Sequence, residues 1–307
     1  MLKTLKIIKR WAMPIGMVLG IALFPWVSKL SFITPYLIFI MLLFTFVNIS
    51  WHEIRFTKMH FILGFIQIVS SVSVFFILKP VNIILAQGAM VCCLTPTATS
   101  APVITGKLKG NVASLMAFSL LSNLIVVIMA PIMFSYTGRN QDLTFFQSML
   151  NITQRIAFLL IVPFLLAFLL RKTAPKPTAF LQKHSGISFY IWIVALIIVV
   201  GRTVQFVVDH GREHLWTEIS IALIALVICG MQFYFGRKIG RKYNDTIAGG
   251  QGLGQKNTVL AIWMSQTYLN PIASLGPGAY VIWQNIVNSY QVWRIEAKAS
   301  KKNANNP

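Results

Sequence analysis

The stretch "GGQGLGQKNT" (249–258) sets four glycines and two glutamines around one lysine, Lys256, and runs straight into the apolar "TVLAIWM" (258–264). A second stretch, "LTPTATSAP" (94–102), interrupts another apolar run with two prolines and a cluster of hydroxyls. Glycine and proline are the residues that break helices. Each stretch therefore reads as a gap in a helix. What such a gap means depends on the solvent around it.

That solvent is a bilayer. Of 307 residues, 56% are hydrophobic and only 11% are charged, whereas soluble domains are about one quarter charged. Apolar runs of spanning length, about 20 residues, fall near 11–28, 31–50, 60–78, 81–94, 110–136, 151–170, 187–207, 215–236 and 271–293. Counting 246–269 as one interrupted span brings the total to ten. The fold class is an all-α polytopic membrane protein. The basic start "MLKTLKIIKR" with its apolar sequel has the outline of a secretory signal, but no small-residue cleavage site is evident. Further spans follow, so it reads as a retained first helix.

The net charge of +20 is explained by the positive-inside rule, with no need of a nucleic-acid partner. In a ten-span topology with both termini cytoplasmic, twenty of the 27 basic residues fall in inner segments, among them Lys3, Lys6, Lys9, Arg10, Arg171, Lys172, Lys176, Lys183, Arg237 and Lys238. Six fall in outer segments: Lys29, Lys79, Arg139, Arg155, Arg202 and Arg212. Lys256 remains. Arg202 belongs at the outer interface. The stretch "WHEIRFTKMH" (51–60) reads as an interfacial loop, "RKTAPKPTAFLQKH" (171–184) as the inner linker, and the tail "KASKKNANNP" (298–307) as disordered. The expected location is the cytoplasmic (inner) membrane, with membrane lipid as surroundings. Nothing in the sequence sets an oligomeric state.

Divided near residue 145, the chain gives two halves of five spans, 1–145 and 146–307, each broken in its fourth span. An odd number of spans inverts the second half relative to the first. Paired breaks in inverted halves point to the binding site of a secondary transporter. Freed backbone groups at membrane depth are tolerated only where they are buried in protein or line an aqueous cavity. Cys92, Cys93 and Cys229 sit in apolar runs as buried thiols, without metal-ligand spacing to the histidines. All seven acidic residues lie near ends or loops, and no HExxH, G-x-S-x-G or acidic pair occurs in the spans. An enzyme is not expected, nor is a carboxylate-centred proton relay.

The region "CCLTPTATSAPVITGKLKGNVASLMAFSLLSNLIVVIMAPI" (92–132) resembles the first signature region of the bile acid:sodium symporter family, at Cys93, Pro96, Thr99, Gly110, Asn111, Val112, Ala113, Ser119, Ser122 and Pro131. "GQGLGQKNTVLA" (250–261) resembles the family's second broken helix more loosely. The resemblance implies a panel domain of spans 1, 2, 6 and 7 and a core domain of spans 3–5 and 8–10, with broken helices 4 and 9 crossing in the core. It also implies movement of one domain against the other. The chain departs from the family where sodium binds. Ala101 and Pro102 stand for a Ser-Asn pair, Leu115 for a serine, and Gln251 for the glutamate that joins both sodium sites. Gln67, Ser119, Asn123, Gln251 and Gln255 are what the resemblance leaves as residual sodium ligands, and two intact sites are not expected.

Lys256 takes an asparagine-like position of the family. An ionisable residue inside the membrane is a functional candidate. As a fixed charge it would anchor an anion; it can also stand in for the missing sodium, or carry a proton, since burial lowers a lysine's proton affinity. The bland alternative is a lysine that snorkels to the interface. Thr97, Thr99 and Ser100, with Lys256 and Asn257, are the candidate substrate contacts, the hydroxyls and freed amides suiting a carboxylate at a half-helix N-terminus. Gln87, Asn123, Gln284, Asn285 and Asn288 read mainly as helix–helix hydrogen-bond formers. The expected function is a secondary active transporter of a small organic anion, bile-acid-like or another carboxylate, with no organic cofactor. An uncoupled facilitator or channel of the same fold, or proton-coupled transport through Lys256, are the alternatives.

Overall fold

The computed structural model describes residues 12, 14–49, 54–138, 143–210 and 215–304. Among these residues the backbone is helical, with no strand beyond one isolated bridge. The helices are α1 (14–22), α2 (Phe24–Val27), α3 (Thr34–Val47), α4 (Lys58–Leu78), α5 (Ile83–Leu94), α6 (Ala101–Lys107) and α7 (Val112–Thr137). They continue with α8 (Phe145–Thr173), α9 (Pro175–Lys183), α10 (Ile187–His210), α11 (Leu215–Lys242), α12 (Thr246–Gly254), α13 (Thr258–Tyr268) and α14 (Leu275–Ala304). Among the described residues, six stretches are long and apolar enough to cross a membrane, and α5 is a shorter apolar helix. Large side chains such as Phe32, Phe61, Phe146 and Leu226 stand exposed on the helices. Apolar surface on that scale suits lipid rather than water. The molecule is a multi-pass membrane protein.

The chain forms two compact units. The first gathers residues 1–49, 127–220 and 259–275. Here α1 and α2 run beside α10 in the same direction: Gly16 faces Ile193, Gly20 faces Val200, and Val27 faces Gly201. The chain then turns through the 3-10 segment Ser28–Ile33. It returns as α3, whose last carbonyl, on Val47, accepts from Gln182 Nε2 (3.0 Å) and Arg171 Nη1 (3.5 Å) before α10 begins. The apolar run Phe24–Val47 therefore holds a reversal. Pro25 and Pro35 each sit in the first turn of a helix, where a missing N–H costs nothing. Phe46 packs edge-on against Phe164 of α8 at 5.6 Å.

The second unit holds residues 50–126, 221–258 and 276–307. Asn82 opens α5 by accepting the amides of Ile84 and Leu85 on its side chain, the usual N-cap arrangement. In α12, backbone comes close to backbone. A Cβ on Gly249 would lie 2.5 Å from the Gly236 carbonyl oxygen of α11, and one on Gly252 would lie 2.6 Å from Phe118 of α7. Only glycine fits at either place.

One expectation gains structural detail and another is corrected. The linker 171–184 is helical on both sides of a bend at Ala174: Pro175 cannot continue α8 but starts α9, as its fixed φ dictates. The tail is not irregular from residue 298, because α14 runs on to Ala304, through lysines and alanines that favour helix. The basic cluster at Lys3, Lys6, Lys9 and Arg10, the start of the 51–60 loop and the last three residues lie outside the described residues.

Candidate functional site

Both stretches contain a break, and the breaks meet; the second is narrower than its glycines suggest, since α12 runs through Gly249–Gly254 and only residues 255–257 are non-helical. α5 ends at Leu94 and α6 begins at Ala101; α12 ends at Gly254 and α13 begins at Thr258. Between them, Thr97 and Lys256 form an antiparallel bridge. The Ala98 amide donates to the Gln255 carbonyl (2.9 Å) and the Asn257 amide to the Pro96 carbonyl (2.8 Å). Each break thereby satisfies backbone groups that the other exposes. Buried unpaired amides and carbonyls are costly, and nothing polar from lipid can replace these partners.

The carbonyl ends of the two half-helices are closed in a reciprocal way. A helix leaves its last four carbonyls without an internal partner. On α5, Cys93 O accepts from Lys256 Nζ at 2.9 Å, and Leu94 O accepts from Gln67 Nε2 of α4. On α12, Gly252 O accepts from Thr97 Oγ1 at 2.8 Å, and Gly254 O accepts from Tyr280 Oη of α14 at 2.8 Å. In each case one cap comes from the opposite break and one from a flanking helix. The Lys256 ammonium thus sits on the negative end of the α5 dipole, where a cation is favoured. The residue is 1% exposed. No carboxylate among the described residues pairs with it. Gln284 of α14 locks its backbone, accepting from the Lys256 amide (2.8 Å) and donating to its carbonyl (3.2 Å).

Of the candidate substrate contacts, Thr97, Lys256 and Asn257 are buried in this crossing, Thr99 is half-buried, and Ser100 is exposed. Ser100 Oγ accepts from Gln255 Nε2 at 3.0 Å. The candidate sodium ligands do not converge as one set. Gln67 Oε1 accepts from Ser122 Oγ (2.8 Å) while its amide nitrogen caps α5. Asn123 Nδ2 turns back to the carbonyl of Ser119, on its own helix (2.7 Å). Gln251 faces α14, donating to Asn288 Oδ1 (2.9 Å) and Gln291 Oε1 (3.1 Å). Among these candidate ligands, the buried amide oxygens of Asn123, Gln251 and Gln255 have no partner in the described residues. Among the described residues, no group of three or more His, Cys, Asp or Glu side chains is placed to hold a metal ion. The amide-rich residues present suit a cation only weakly, since they bring no carboxylate charge.

Sequence reading missed Tyr280, which looks like one more aromatic in an apolar run. Cys93 was legible as a buried thiol and a position of resemblance, but not as the source of the carbonyl that meets Lys256. Gln284 was visible only as a polar residue in a helix. No curated protein matches the chain significantly. A family model does match, over residues 37–286, which take in both breaks, their caps on α4 and α14, and most of the helices. The chain belongs to the SBF-like CPA transporter family, within the bile acid:sodium symporter group of transporters.

Proposed function

We propose that this transporter is a secondary carrier of a small organic anion, working by alternating access around the two paired helix breaks and without sodium bound at the crossing. The observation that carries the reading is the contact of Lys256 Nζ with the Cys93 carbonyl across the two breaks. Carbonyl oxygens at a half-helix end are what a coordinated cation needs. Here a tethered ammonium occupies that place. Gln251, at the position where the resemblance implies a glutamate, adds no negative charge to draw a sodium ion.

Under this reading the halves 1–145 and 146–307 are inverted repeats, and a panel and a core move against one another. The substrate carboxylate competes with the Cys93 carbonyl for the ammonium. Binding then opens the lock between α5 and α12, which links occupancy to movement. Thr99 and Ser100, at the accessible rim of the crossing, supply hydroxyl donors to the same anion.

The test is uptake of radiolabelled organic anions into proteoliposomes, with and without a sodium gradient. Wild-type protein is expected to concentrate its anion equally in potassium and sodium buffers, and Lys256→Ala is expected to lose concentrative uptake. Strong sodium dependence in the wild type, together with unchanged uptake in Lys256→Ala, would sink the proposal. Equilibration without concentration identifies a facilitator. Uptake that follows an imposed pH gradient and disappears in Lys256→Ala assigns the proton to this lysine.

A further inference from the structure

We propose a second, separate anion site, in the cleft at the C-terminal end of α10, selective for monoanions over dianions. The cleft has a volume of about 370 Å³ and belongs wholly to the first unit. Lys29, Arg202, Gln205, Asp209 and Gln266 supply its polar lining, and Phe206 an apolar wall. Its charges are unbalanced, with two cations against one carboxylate. That carboxylate is already engaged: Asp209 Oδ1 accepts from Gln205 Nε2 at 2.7 Å. The half-buried Arg202 guanidinium and the exposed Lys29 ammonium have no hydrogen-bond or ion-pair partner among the described residues.

A partly desolvated guanidinium without an anion is costly. Its planar fork matches a carboxylate with two parallel hydrogen bonds. The opposite wall is held rigid. Gln266 Nε2 donates to Val199 O (3.1 Å) and Thr203 Oγ1 (2.8 Å), and Thr203 Oγ1 lies 3.2 Å from Ser274 Oγ. This leaves Gln266 Oε1 as an acceptor for a ligand hydroxyl or N–H. The geometry fits one carboxylate on Arg202 and Lys29, a small apolar body beside Phe206, and a donor group facing Gln266. Asp209 repels a second carboxylate. Asp209, at the far end of the cleft, lies 22 residues along α10 from its first residue, Ile187, roughly 33 Å at 1.5 Å per residue. The cleft therefore lies a membrane's thickness from the basic linker, on the outer side if that linker is cytoplasmic.

As an entry point for the cargo this rests on the function proposed above, but its occupancy is measured without transport. The probes are benzoate and phthalate, binding to the purified protein in phosphatidylcholine nanodiscs, followed by calorimetry. Benzoate is expected to bind more tightly than phthalate. Arg202→Gln is expected to weaken benzoate by roughly tenfold or more. Asp209→Asn, at an exposed position that tolerates change, is expected to improve phthalate by about fivefold. Benzoate affinity should persist in Lys256→Ala, which separates this site from the crossing. No benzoate binding to the wild type, or equal affinities in wild type and Arg202→Gln, overturns the proposal. Loss of benzoate binding when phosphatidylglycerol replaces part of the lipid also overturns it, because a lipid headgroup then fills the cleft. Cleft binding without concentrative uptake sinks the transport reading alone; uptake with an unchanged KM in Arg202→Gln, and unchanged benzoate binding, sinks the cleft alone.

Discussion

Lys256 has to be held in an apolar interior without a counter-ion among the described side chains, and the geometry shows how. Its ammonium closes the α5 carbonyl end, while Gln284 clamps its backbone from α14. If the ammonium takes the place of a bound cation, removing it should recreate a vacant cation position. Lys256→Ser is expected to gain thermal stabilisation by sodium that the wild type lacks, read as melting temperature in matched sodium and potassium buffers. The same response in both proteins would refute the substitution idea. Thr97 performs the reciprocal cap on Gly252. Thr97→Val keeps the shape and leaves that carbonyl unpaired, which should cost about 1–3 kcal/mol in denaturant unfolding. Its combination with Lys256→Met should be non-additive, since both side chains belong to one network.

At the scale of elements, the half-helices are held by closeness as much as by hydrogen bonds. α12 packs against α11 through Gly249 and Gly236, and against α7 through Gly252 and Phe118. Gly249→Val has no room to relax, because the obstacle is backbone. The expected result is a loss of stability beyond the roughly 1–3 kcal/mol of ordinary overpacking, seen as a sharply lower yield of monodisperse protein in detergent. Gly230 on α11, which has open space around its Cβ position, is the control: Gly230→Ala should be tolerated. Comparable damage at both positions would mean that α11 does not meet α12 in this way.

For the whole molecule, orientation is the property to test. The three native cysteines are buried, so single introduced cysteines can report sidedness against a low background. Ser28→Cys, at the α2–α3 reversal, and Lys176→Cys, on α9, lie towards opposite ends of α10. A membrane-impermeant thiol reagent applied to intact cells is expected to label position 28, and position 176 only after permeabilisation. The reverse pattern would overturn the cytoplasmic assignment of the basic linker.

The sequence by itself determined that this chain lives in a membrane, that it crosses repeatedly as helices, and where two of those helices break. Those properties follow from local composition: apolar runs of bilayer length, charge at their ends, and glycine, proline or hydroxyl clusters that weaken a helix and mark where it ends. It also marked Lys256, because a charge inside an apolar region is conspicuous anywhere. Its partner was beyond reach, since Cys93 contributes a backbone carbonyl and every residue has one. Tyr280 and Gln67 were equally silent as caps, their role depending on which helix end each one reaches. Even the scatter of the candidate ligands, with Gln251 drawn to α14 and Gln67 to α5, follows from side-chain direction. Only the tertiary structure decided that the two breaks seal each other, because contacts about 160 residues apart in sequence are set by how helices pack and not by any local preference.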